Sequence, residues 1–76
     1  MRDWLYQLRK AKGITMREIA GKIGHSESYY QRMEQGQRKT RMDIALLAKI
    51  AEATGEDVIV LVGKEMQYEG IRAKVV

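Results

Sequence analysis

The stretch Thr15-Met16-Arg17-Glu18-Ile19-Ala20-Gly21-Lys22-Ile23-Gly24-His25-Ser26-Glu27-Ser28-Tyr29-Tyr30-Gln31-Arg32-Met33-Glu34-Gln35 decides the fold. Its start, Thr15-x-x-Glu18, has the form of a capping box, in which a hydroxyl and a carboxylate satisfy each other's exposed backbone N–H groups at a helix start. Ile14, just before the cap, is placed to staple against Ile19. Ile19, Ala20 and Ile23 recur at helical spacing and supply one apolar face. Gly24 ends this helix, and Ser26 caps the next. That second helix runs to about Gln35, with Tyr30 and Met33 on its apolar side and Tyr29 beside them. Glu27, Ser28, Gln31 and Arg32 fall elsewhere on it, on a polar face. Two short helices joined by a tight glycine turn, here Ile23-Gly24-His25-Ser26, form the helix-turn-helix pattern. Periodicity alone favours an ordinary corner in a helical bundle over a DNA-binding motif.

Working outward, a first helix is expected over about residues 3–12. Asp3 is its candidate cap, and Trp4, Leu5, Leu8 and Ala11 form its apolar side. Arg9, Lys10 and Lys12 complement its carboxyl-terminal dipole, and Gly13 stops it. A fourth helix is expected from either Thr40 or Asp43 to Thr54, ending at Gly55. Met42, Ile44, Ala45, Leu47, Ala48 and Ala51 are its apolar residues, with Leu46 and Ile50 as further candidates. Beyond it, Val58-Ile59-Val60-Leu61-Val62 is a β-branched run bounded by Gly63, which reads as a strand. Residues 71–76 form a weaker second strand candidate, and residues 63–70 read as either a hairpin loop or loosely ordered chain. The expected fold is therefore mainly α: a four-helix helix-turn-helix domain over residues 1–56 and a strand-forming tail over residues 57–76. The tail is a dimerisation or packing element in this reading.

Composition narrows the function. The 76 residues make one domain. A chain this short buries only about 60% of its unfolded surface, so good helix packing or oligomerisation must support it. The absence of Cys excludes disulfides and thiolate metal sites. No apolar run approaches the length of a membrane span, and the amino end lacks a signal-peptide layout, so a cytoplasmic location is expected. The net charge of +4 is unevenly spread. Residues 1–41 hold ten Lys and Arg against four Asp and Glu, and residues 42–76 hold four against six. A basic amino-terminal half suits a polyanionic partner, although a solvated basic surface gives the same count. One His, no phosphate loop and no paired carboxylates argue against catalysis. No metal-ligand spacing and no cofactor motif is present.

Several stretches taken in order resemble the phage-repressor-like (Cro/repressor type) helix-turn-helix family. They are Leu8-Arg9-Lys10-Ala11-Lys12-Gly13-Ile14-Thr15, Glu18-Ile19-Ala20, Ile23-Gly24-His25-Ser26, Met33-Glu34-Gln35-Gly36-Gln37-Arg38 and Ile50-Ala51-Glu52-Ala53. Together they cover about residues 5–55. The resemblance implies that residues 26–35 are a recognition helix whose Glu27, Ser28, Tyr29, Gln31 and Arg32 face DNA. Gln31 suits paired hydrogen bonds to adenine and Arg32 to guanine. Glu27 is either an acceptor for cytosine or a helix-dipole partner. Tyr29 either touches DNA or is partly buried beside Tyr30. Arg17, Arg38, Lys39, Thr40 and Arg41 are the implied phosphate contacts, which set register without reading sequence. Arg9 and Glu34 are implied to form an ion pair between the first and third helices. The chain departs from the family pattern at Met16, where a Gln is usual, at the large Tyr30, and in a longer loop over residues 37–43.

The resemblance implies a transcription regulator, expected to be a repressor, that binds double-stranded DNA. One helix reads few base pairs, so a homodimer on a palindrome is expected. The unpaired strand supports the same expectation, since it needs either residues 71–76 or its two-fold mate, unless it packs on the fourth helix. The rival reading is an antitoxin-type interaction module whose tail holds a partner protein such as a toxin, by strand addition.

Overall fold

A computed structural model describes residues 1–37 and 42–75, with side chains described through residue 70. Among the described residues there are five helices: α1 (Asp3–Ala11), α2 (Met16–Ile23), α3 (Glu27–Gln35), α4 (Ile44–Thr54) and α5 (Val58–Val75). Each helix start has a local cause. The Thr15 hydroxyl accepts from the Glu18 N–H at 3.1 Å while the Glu18 carboxylate accepts from the Thr15 N–H at 3.3 Å, closing the capping box of α2. Ser26 caps α3 through the Tyr29 N–H. Asp43, the second of the two candidate caps, starts α4 by accepting from the Leu46 N–H at 2.8 Å; Thr40 lies outside the described residues. At α1 the cap position is held by Arg2, which makes no side-chain cap, and Asp3 is the first helical residue. Its carboxylate still complements the helix dipole.

Helix α2 packs on both α3 and α4, α5 packs on α4, and α1 reaches α3. Leu5, Ile19, Ala20, Ile23, Tyr30, Met33, Leu46, Leu47, Ile50, Ala51 and Leu61 make the buried core. Trp4, Leu8 and Ile14 are half-buried against it, whereas Ala11 is exposed. In α4 the inward stripe is Leu46, Leu47, Ile50, Ala51 and Thr54. Ile44, Ala45 and Ala48, expected to face inward, are exposed. A helix buries one stripe of about 100°, and α4 carries more apolar residues than one stripe holds.

The expected strand and hairpin are replaced by α5, and among the described residues there is no strand. Residues 63–70 and 71–75 continue the same helix, and residue 76 lies outside the described residues. The β-branched preference of Val58-Ile59-Val60-Leu61-Val62 amounts to only a few tenths of a kcal/mol per residue. Packing outweighs it. Leu61 is fully buried and Val58 and Val62 are half-buried, at the spacing of one helical face. Asp57 assists by accepting from the Ile59 N–H at 2.9 Å. Among the described residues no helix is long and apolar enough to cross a membrane.

The capping box makes an early test. Thr15→Ala is expected to cost about 1 kcal/mol of stability at neutral pH, read by urea unfolding. The Thr15 hydroxyl, helped by the Thr15 backbone N–H, holds the Glu18 carboxyl below its ordinary value. A depressed folded-state pKa adds stability that is present above the ordinary carboxylate range and lost as pH falls through the folded value. The difference between the two proteins is therefore expected to shrink on acidification; a gap that stays constant with pH contradicts the reciprocal box.

Candidate nucleic-acid interface

Helix α3 divides cleanly by exposure. Tyr30, Met33 and Glu34 are buried, while Glu27, Ser28, Gln31, Arg32 and Gln35 are exposed. Residues 27, 28, 31, 32 and 35 lie three and four apart, so they share one outward face. The turn into this helix needs Gly24, whose φ of 78° lies in the left-handed region. This turn lets the Gly24 and His25 N–H groups close the end of α2 on the Gly21 and Ala20 carbonyls. The outward face is thereby set at an angle to α2 rather than in line with it.

Tyr29 flanks this face and is half-buried against the core. Its ring stacks on His25, with centroids 4.4 Å apart and planes 21° apart. The Arg32 guanidinium lies 6.0 Å from the same ring. Tyr29 is thus braced by the turn on one side and borders Arg32 on the other. The stacking role of His25 is legible only in three dimensions, because nothing in the sequence orients a turn histidine. Arg17 is exposed in the first turn of α2. It lines a groove with Lys10, Gly13, Thr15, Met16 and Glu27, between the α1–α2 turn and the amino end of α3. Arg38, Lys39, Thr40 and Arg41 lie outside the described residues.

Behind the exposed face sits a buried charged pair. Arg9 Nε donates to Glu34 Oε2 at 2.9 Å and Arg9 NH2 donates to Oε1 at 3.0 Å. Arg9 NH1 also donates to the Ile14 carbonyl at 3.2 Å, tying the α1–α2 turn to the pair. Tyr30, one helical turn before Glu34, donates its hydroxyl to Oε2 at 2.7 Å. The hydrogen bond to Glu34 raises the Arg9 pKa against the opposing effect of burial. Burial, and then the bond to Glu34, push the Tyr30 phenol far above its ordinary range. The large residue at position 30 therefore has a polar function: its ring fills the core and its hydroxyl completes the shell of Glu34.

Sequence reading passed over a second buried cluster, at the other side of α3. Arg2 is fully buried and Glu65 is 5% exposed. They form a salt bridge at 3.0 Å although 63 positions separate them. Neither residue carries a local signal, since a charge in an apolar pattern reads as surface until its partner is known.

The helix-turn-helix family model matches residues 5–61, well over half of the chain. The match spans α1 to α4 and the first turn of α5, with the outward face of α3 inside it. No curated protein and no solved structure gives a significant match. Family model, bihelical geometry and the polar face of α3 agree, and the chain belongs to the helix-turn-helix family of phage-repressor (Cro/repressor) type, a kind of DNA-binding transcription regulator.

Proposed function

We propose that the protein is a sequence-specific repressor that binds a palindromic operator as a homodimer, with α3 in the major groove. The observation that carries this reading is the outward face of Glu27, Ser28, Gln31 and Arg32, which exposes polar side chains while Tyr30 and Met33 fill the core. Gln31 and Arg32 are the base readers, and Glu27, Ser28 and Tyr29 adjust the contact. Arg17 and the amino end of α2 hold phosphate, with Arg38, Lys39, Thr40 and Arg41 assigned the same role in the following loop.

The dimer surface proposed is the unpacked side of α5. Ile59 and Met66 are 76% and 69% exposed. They share a helical face with Gly63 and Gly70, at spacings of four, three and four. To read adjacent half-sites, a two-fold pair of such helices has to hold the two α3 helices on one side of the duplex, about 34 Å apart. A partner-protein reading survives on the same face, but strand addition does not apply to a helical tail.

Selection of bound duplexes from a random pool, at a stated salt concentration, tests the proposal. The expected outcome is an enriched palindrome whose half-sites are one helical turn apart. A pool that stays random overturns the DNA reading, and an enriched single half-site overturns the dimer.

A further inference from the structure

Arg2 makes contacts that ordinary surface arginines do not. Its backbone N–H donates to the Glu34 carbonyl at 2.8 Å. Its guanidinium NH1 donates to the Met33 carbonyl at 2.7 Å. Both acceptors are among the last carbonyls of α3; that of Met33 also accepts from the Gly36 N–H at 3.1 Å, so Arg2 adds a second bond to the capped end. The rest of the guanidinium is turned the other way, onto α5. Arg2 Nε reaches both Glu65 oxygens at 3.0 and 3.2 Å, and NH2 reaches Glu65 Oε2 at 3.0 Å. The Tyr68 ring lies under the guanidinium at 4.8 Å. Glu69 adds a longer contact at 3.7 Å. Trp4, from the first turn of α1, donates its indole N–H to Glu65 Oε1 at 3.1 Å.

The planar fork of one arginine thus joins the end of the reading helix to α5. Gly36, the left-handed residue that closes α3 at φ 73°, sits against the Tyr68 hydroxyl, so α5 also covers the cap itself. Arg9 and Tyr30 hold the Glu34 side chain from the α1 side. The carboxyl-terminal end of α3 is gripped from two directions, by two arginines that share no contact with the outward face.

We propose that Arg2 is a positioning residue for DNA reading: held by Glu65, it makes α5 set the angle at which α3 meets the groove. This rests on the assignment of α3 as the reading helix. Two features separate it from a purely structural salt bridge. Arg2 bonds two backbone carbonyls of α3, that of Met33 through its guanidinium and that of Glu34 through its own backbone N–H, so it constrains the helix axis. Its counterion sits on α5, the helix whose other side is exposed and apolar, so whatever packs on α5 is mechanically connected to α3. Base readers must be held to within about half an ångström to keep paired hydrogen bonds, which makes a rigid end more valuable than a merely stable one.

The test uses two variants on the full chain. Arg2→Lys keeps a cation for Glu65 but has no fork to reach the Met33 carbonyl at the same time. Glu65→Gln keeps an acceptor for Trp4 and removes the charge that holds Arg2. Affinity for the selected duplex and for a random duplex is measured at a temperature where circular dichroism shows each variant folded. The expected result is a loss of selectivity of about tenfold, comparable to one lost base contact. The slope of affinity against salt should stay at the wild-type value, because no phosphate contact is removed. Folded variants with wild-type selectivity overturn the proposal. If a variant fails to fold, the wild-type protein supplies the measurement. Trp4 is the only tryptophan in the chain, so its indole N–H resonance reports the cluster. Its exchange with solvent should slow more on the selected duplex than on a random one bound to the same extent, because seating α3 restrains the cluster that holds its end, and equal slowing overturns the proposal. Wild-type protein that distinguishes no duplex defeats the DNA reading itself, and the positioning role falls with it.

Discussion

Glu34→Ala should lower the stability of the protein by about 3–5 kcal/mol, the usual consequence of removing one partner of a buried ion pair. Glu34 is 2% exposed and Arg9 is 6% exposed. With the carboxylate gone, the Arg9 guanidinium keeps its charge in a site with little access to water, because an arginine does not shed its proton. The Tyr30 hydroxyl loses its acceptor in the same step and adds a desolvation cost of its own. Small domains hold only about 5–15 kcal/mol in total, so the variant should be largely unfolded at 37 °C. Urea unfolding of both proteins measures the difference. The triple variant Arg9→Met, Tyr30→Phe, Glu34→Leu removes every member of the cluster at once. It should recover most of the loss, since the penalty comes from stranded groups rather than from the missing attraction. If Glu34→Ala costs under about 1 kcal/mol, the pair is effectively solvated and the buried description is wrong.

Tyr30 gives the cluster an alkaline limit. Its folded-state pKa lies above the unfolded value, so the stability it contributes is complete below the unfolded value. It is lost as pH rises past about 10, where the unfolded chain begins to release the phenolic proton. Tyr30→Phe should remove that limit while giving up the hydrogen bond at neutral pH. Unfolding curves at pH 8 and pH 11 on both proteins check the sign.

The two halves of the chain differed in how much they disclosed. Helices α2 to α4 are legible because their ends are written in short-range chemistry: a Thr15–Glu18 box, Ser26 and Asp43 caps, and glycines at the left-handed closures. Helix α1 is legible from its apolar spacing and Gly13 alone, its start carrying no side-chain cap. The outward face of α3 was legible because its alternatives, Tyr30 and Met33, are apolar and recur at helical spacing. Tail reading failed for a specific reason. The buried side of α5 runs through Val58, Leu61, Val62 and Glu65, a helical stripe whose last member is charged. A buried Glu is costly without a partner, so a sequence pattern places it outside. That partner is Arg2, at the far end of the chain, and Arg2 looks like surface for the same reason. Each residue is intelligible only through the other. With Glu65 counted as exposed, the remaining run of β-branched residues looks like a strand. The excess of apolar residues in α4 misled in a related way, because spacing cannot say which of two plausible stripes meets the core when Ile44 and Ile50 are equally apolar.

Gln31→Ala and Arg32→Ala should each cost about 1–3 kcal/mol in affinity for the selected operator, the value of one good paired contact to a base. Both side chains are exposed, so neither change opens a cavity, and thermal unfolding should stay within about 0.5 kcal/mol of wild type. The losses should be selective: affinity for a random duplex should fall far less than affinity for the operator. Salt dependence then separates the two kinds of contact. Gln31 is neutral and removes no ionic contact, so the slope of log affinity against log salt is expected to hold. Arg17→Ala should instead weaken all duplexes alike and lower that slope by about one, as removal of a phosphate contact does. Arg32 combines a charge with the base contact proposed for it, and its guanidinium lies 6.0 Å from the Tyr29 ring. Its replacement is expected to relax preference at one base pair, at a guanine, rather than across the site. A panel of operators with single substitutions reads this directly. Uniform loss across the panel for Arg32→Ala would assign Arg32 to the backbone and leave Gln31 as the reader. Unchanged operator affinity in both variants would remove α3 from the groove altogether, whatever its exposure.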